Sequence, residues 1–199
     1  RHQHSQTILE AAFRDVQAQK VDRILVTGDL THVSLEREFR KAAEQLSLLG
    51  TPEEVFLIPG NHDCYVRVAP ERSWDLWSDY LAGTSLSQLD SNTRACLVDL
   101  SAESAAPRHA DYPMLRMHGD LAMIGLCSAI PTPIFRAGGQ LGRPQLECLE
   151  RLLITLQKQN RCRIVMIHHP VAKSGDSNRR ALWDAEALRA VLERAGAEL

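Results

Sequence analysis

Three apolar stretches, each stopping abruptly at a turn that carries metal-binding side-chain types, constrain this chain more than any other feature. Val55-Phe56-Leu57-Ile58 has the length and the β-branched and aromatic content of a buried strand, and it ends at Pro59-Gly60. Asn61, His62 and Asp63 are therefore set on the tight turn past a strand's carboxyl end, where open α/β sheets gather their ligands. Alone, the trio also suits an Asx-type turn, because Asn and Asp favour turns in any case. The run 24–28 delivers Asp29 in the same way, and the run 164–167 delivers His168 and His169 before Pro170. A parallel sheet would align the three ends on one edge, gathering oxygen and nitrogen donors suited to a divalent transition metal.

The remaining pattern supplies helices to cover such strands. Residues 5–20 read as a helix with Ile8, Ala12 and Val16 on one face, widened by Leu9 and Phe13. Ser34 is placed to cap a second helix ending at Leu49, with Glu36 and Glu38 at its positive end. Leu35, Phe39, Ala42, Ala43, Leu46 and Leu49 form its buried stripe, and Gly50 closes it. With strands at 23–27 and 55–58 on either side, this is a right-handed βαβ crossover and a parallel pair. Trp74, Leu76, Trp77 and Leu81 suggest a helix over 71–83, whereas 84–113 reads as a long loop or a cap insertion at the pocket mouth. Met114–His118 and Leu121–Ser128 form a hairpin through Gly119-Asp120, expected in a second sheet. Pro131-Thr132-Pro133 and Gly138-Gly139 read as a surface loop. A helix follows over 144–160, then a strand over 163–168, then a helix capped by Asp184 and ended by Gly196.

Size and composition fit one α/β domain over residues 1–199, with 44% hydrophobic and 24% charged residues. A net charge of −2 gives no electrostatic case for nucleic acid or an anionic membrane. Five scattered cysteines without a Cys-x-x-Cys pair suggest a reducing, cytoplasmic setting, and no run is long and apolar enough to span a bilayer.

Gly28-Asp29, Gly60-Asn61-His62-Asp63 and His168-His169-Pro170, in this order and each after a strand, resemble the calcineurin-like metallophosphoesterase family. The likeness is strongest to the bacterial branch that includes class III cyclic nucleotide phosphodiesterases. That family's pattern opens with Asp-x-His and closes with Gly-His-x-His. Neither is present here, so three of the five motifs are matched over nearly the whole length and the chain reads as an internal fragment. The resemblance implies a layered α-β-β-α sandwich with mixed sheets, and hydrolysis of a small phosphate ester by a water activated between two divalent ions, Mn, Fe or Zn. It implies that Asp29 bridges the ions and that Asn61 and His168 complete one ion site, the other being incomplete in this chain. His62 would stabilise the phosphoryl group or protonate the leaving alkoxide, with Asp63 orienting it. Such a fragment is expected to bind metal weakly and turn over little.

Other candidates are more open. His169 is expected behind the ligands or facing substrate. His32 stands where relatives often carry Asp or Asn, so it reads either as substrate-side or as a surface turn residue. Arg179 and Arg180 read as an exposed loop that could hold a phosphate. His109 and His118 read as structural, and His2 and His4 as a frayed terminus. Two rivals stay open beside the phosphodiesterase reading. One is a DNA nuclease, hinted at by Gly28-Asp29-Leu30-Thr31-His32, and the other is a non-catalytic binding module on the same scaffold.

Overall fold

The computed structural model describes residues 6–97, 108–132, 136–172 and 180–199. His2, His4, Arg179, Pro133 and the centre of the 84–113 segment lie outside the described residues. Two sheets form the interior. In the first, β1 (Ile24–Val26) pairs parallel with β2 (Val55–Leu57), Leu25 opposite Phe56. In the second, β3 (Met114–His118) runs antiparallel to β4 (Leu121–Gly125), and β5 (Cys162–Met166) runs parallel to β4 on its other side.

The two-residue alternation of strand side chains sorts the core into three layers. From β2, Val55 and Leu57 join Phe39, Ala42, Leu46 and Leu49 of α2 (Glu36–Leu49), together with Trp77 and Leu81. Phe56 and Ile58 point the other way and meet Met123 and Met166 of the second sheet. From β4, Ala122 and Ile124 pack on the leucines of α5 (Arg143–Lys158) and on Leu188 and Val191 of α6 (Ala185–Ala195). The order is thus helix, sheet, sheet, helix. Close approach between the sheets requires Gly125, where a Cβ would lie 2.7 Å from Ile58 Cγ2. Arg116 pins the layers together, its guanidinium 4.6 Å over the Phe56 ring and donating to the Val55 and Ala82 carbonyls.

Several local expectations change. The three turn-bearing strands do not share one sheet, because β4 occupies the pairing edge of β5; their ends meet across the gap between sheets instead. Ser34 does not cap α2: it is buried with φ of 58°, and Glu38 accepts from the Val33 and Leu35 N–H groups in its place. Leu35 is exposed. In α1 (Gln6–Ala18), Phe13 and Val16 make the contact with the core. Ile8, about 140° around the helix from Phe13, is 71% exposed.

The 71–83 helix breaks into 3-10 turns before α3 (Ser78–Leu81), since the Trp74 and Trp77 indoles donate to separate carbonyls, those of Asp63 and Phe39. Within the expected loop, α4 (Ser91–Leu97) forms, started by Asp90 accepting from the Asn92 and Thr93 N–H groups. Gly138 and Gly139 are buried rather than on the surface, Gly139 exchanging hydrogen bonds with Ala181 and Trp183. The Asp184 carboxylate accepts from the Leu141 and Gly142 N–H groups instead of capping its own helix. All five cysteines are free thiols. Among the described residues, no helix is long and apolar enough to cross a membrane.

Candidate metal centre

The turns after β1 and β2 touch through their backbones. A Cβ on Gly28 would lie 2.2 Å from Gly60 N, and one on Gly60 would lie 2.3 Å from Asp29 Oδ1, so both positions must be glycine. Gly28 (φ 91°) and Asp29 (φ 60°) are both left-handed, which costs a non-glycine residue roughly 1–2 kcal/mol. Asp63 offsets that strain. It is 2% exposed, and its Oδ2 accepts from Asp29 N (2.8 Å) and Gly60 N (2.9 Å), while Oδ1 accepts from Thr31 N (2.8 Å) and Thr31 Oγ1 (3.0 Å). Burial pushes the Asp63 carboxyl above the usual range, and these donors pull against that shift. Asp63 therefore knots the two turns together. The expectation that it orients the His62 ring is corrected, because its oxygens are committed to the backbone and to Thr31.

His62 is oriented by a different group. Its Nδ1 lies 2.6 Å from the His32 carbonyl and donates to it, which turns Nε2 toward Tyr65 Oη (3.5 Å) and Asp29 Oδ2 (4.0 Å). The His32 ring is exposed and stacks 5.7 Å from that of His62. Both His32 and His62 thus stand at the mouth of the site.

His168 follows β5 and crosses to the first sheet. Its Nδ1–H donates to the Thr27 carbonyl (2.7 Å), which fixes the tautomer. In the neutral ring Nε2 is then the lone-pair nitrogen, and it lies 3.1 Å from Asn61 Oδ1 and 3.4 Å from Asp29 Oδ1. Asn61 Nδ2 donates to Tyr65 Oη (2.7 Å), so its oxygen is the end that faces His168. Three groups able to give electron pairs to a cation converge here, Asp29 Oδ1 also accepting from the His62 backbone N–H (3.0 Å). Donors about 2.1 Å from one ion at right angles stand about 3.0 Å apart, close to the spacing between His168 and Asn61. Asp29, Asn61 and His168 thus fit one divalent ion. Among the described residues no group of three His, Cys, Asp or Glu side chains is placed to hold a metal; here the third donor is an amide.

His169 is buried rather than presented to solvent. It is 3% exposed, its Nδ1 accepts from Ser128 Oγ (2.7 Å), and its Nε2 donates to the Ala137 carbonyl (3.0 Å). Burial lowers its pKa, which suits a neutral ring with one donor and one acceptor. Its ring meets that of His168 edge-on at 5.1 Å and backs it. His109 and His118 sit away from the cluster, His109 donating to the Gln140 carbonyl and His118 packed on Arg23. The sequence reading missed Tyr65, Thr31 and Ser34. Tyr65 stands four residues after Asn61 on one turn, a spacing that signals contact, whereas Ser34 hid behind its cap-like position.

Two sheets between helical layers bring a carboxylate, an amide oxygen and an imidazole together where the strands end, an α/β arrangement whose donor set could hold a divalent ion. The sequence pattern of calcineurin-like phosphoesterases matches residues 2–199, and the chain belongs to that family. It is accordingly a metal-dependent phosphoesterase, a hydrolase. No curated protein matches the chain.

Proposed function

We propose that the chain hydrolyses a small phosphodiester, in the manner of a cyclic nucleotide phosphodiesterase, at a dinuclear centre whose better-formed half is Asp29, Asn61 and His168. The observation that carries this reading is the convergence of Asn61 Oδ1 and Asp29 Oδ1 within 3.1–3.4 Å of His168 Nε2. When bound, divalent ions supply charge relief at phosphate and a more acidic water. Asp29 keeps a second oxygen, Oδ2, on the His62 side, which suits a carboxylate shared between two ions.

His62 has its Nδ1 proton committed to the His32 carbonyl, so a proton on Nε2 is the one it can hand over. That proton passes to the leaving alkoxide oxygen. Thr27 holds His168 and Tyr65 holds Asn61, so the donors need not reorganise. Three protein donors hold an ion weakly, and slow turnover is expected of this chain by itself.

The test is metal analysis joined to a screen of phosphomonoesters, cyclic nucleotides and single-stranded DNA. Turnover should prefer a cyclic or small diester and should vanish in Asn61→Ala and His62→Ala. Preference for DNA would indicate the nuclease reading. Metal binding without turnover on any substrate would indicate a binding module.

A further inference from the structure

Tyr65 carries none of the chemistry above, yet its hydroxyl lies between the two side chains on which that chemistry depends. Its oxygen accepts from Asn61 Nδ2 at 2.7 Å and lies 3.5 Å from His62 Nε2, with the phenol ring 4.6 Å from the imidazole. The tyrosine is itself held: its backbone N–H donates to Ser34 Oγ (2.9 Å), and that hydroxyl donates to the His62 carbonyl (2.6 Å). Ser34 is fully buried and takes a left-handed backbone to reach both partners.

The Asn61 amide can face the cluster with either end, and the two ends are opposites. With the oxygen inward, an acceptor faces Asp29 Oδ1 and, in the neutral ring, the lone pair of His168 Nε2. With the NH2 inward, both would receive a hydrogen bond, a better arrangement for the metal-free protein but one that presents a donor where a ligand is needed. The inward oxygen is therefore the costly orientation, and the outward NH2 must find an acceptor elsewhere. The Tyr65 hydroxyl is that acceptor.

We propose that Tyr65 is a positioning residue that fixes which end of the Asn61 amide faces the cation, so that metal affinity depends on its hydroxyl while the fold does not. This rests on the metal site described above, and the variants separate the two ideas. Manganese chloride alone is titrated calorimetrically into the full chain and its variants. Tyr65→Phe should lose about tenfold or more in affinity, the usual scale for a group that orients a ligand, and should unfold at the same or a higher urea concentration than the parent. Asn61→Asp replaces the amide by two equivalent oxygens, so adding Tyr65→Phe to it should change affinity by less than about twofold.

If Asn61→Ala loses manganese while Tyr65→Phe retains it within about twofold, the positioning role is wrong and the metal site stands. An equal loss from Tyr65→Phe in the parent chain and in the Asn61→Asp variant would mark a general structural role and also overturns the proposal. If the parent binds no manganese, or Asn61→Ala binds it as well as the parent, both ideas fail.

Discussion

His168 Nε2 lies 3.1 Å from the amide oxygen of Asn61 although the two residues end strands of different sheets, 107 positions apart. The convergence depends on sheet-to-sheet packing through Phe56, Ile58, Met123 and Met166 rather than on strand pairing. Truncating that packing should therefore harm the site from a distance. Met123→Ala is expected to destabilise the chain by about 2–5 kcal/mol and to weaken metal binding in the folded fraction, read by urea unfolding and calorimetry. Unchanged metal affinity in a destabilised variant would show that the sheets do not set the site's geometry.

Asp63→Asn replaces one acceptor oxygen with an NH2 that opposes backbone N–H groups. With four donors directed at a carboxylate 2% exposed, the expected loss is roughly 2–3 kcal/mol. A chemical denaturation midpoint equal to the parent's would contradict the knot assigned to this residue.

His62→Gln should separate chemistry from binding. Metal affinity is expected to stay near the parent value, while kcat falls about 10²–10⁴-fold, the usual worth of a positioned proton donor. Single-turnover rates measure the second quantity and calorimetry the first. An intact rate would remove His62 from the mechanism.

Much of the architecture was legible because period-two and helical patterns report burial directly. Val55 and Leu57 against Phe56 and Ile58 already read as a strand buried on both faces, and the leucines of α5 all face inward as expected. Sheet membership was not legible, since nothing in the residues of β5 says which neighbour it pairs with. Asp29, Asn61, His62 and His168 were legible as a group from their shared position after strands. The duties of Asp63 and His169 were not. Which polar atom a carboxylate or imidazole meets depends on backbone approaches, such as Gly28 against Gly60 and Gly139 against the His169 ring, that only three-dimensional contact reveals.

Gly139→Ala tests one of those approaches. A Cβ there would lie 2.4 Å from the His169 imidazole and 2.5 Å from the Ser128 carbonyl, an overpacking expected to cost about 1–3 kcal/mol. By shifting His169, it should also weaken metal binding through His168. A stable variant with unchanged affinity would show that this loop yields freely.

Away from the site, hydrogen bonds from the Arg163 guanidinium and then from its backbone N–H hold the Glu198 carboxyl at about 2, below its ordinary 4.5. Arg163 is itself buried and donates to the Leu153 and Ala195 carbonyls. A depressed carboxyl stabilises the fold above its unfolded value, so this contribution is complete above about pH 4.5 and disappears as pH falls toward about 2. Glu198→Gln should be less stable than the parent near neutrality, with the gap closing through that window in urea titrations at stepped pH. A gap independent of pH would contradict the assignment.

The most direct measurement is the anomalous difference map from a crystal of this chain grown with zinc. A peak is expected about 2.0–2.2 Å from His168 Nε2, Asn61 Oδ1 and an Asp29 oxygen at once. Zinc bound elsewhere, with these three side chains in contact only with one another, would contradict the account.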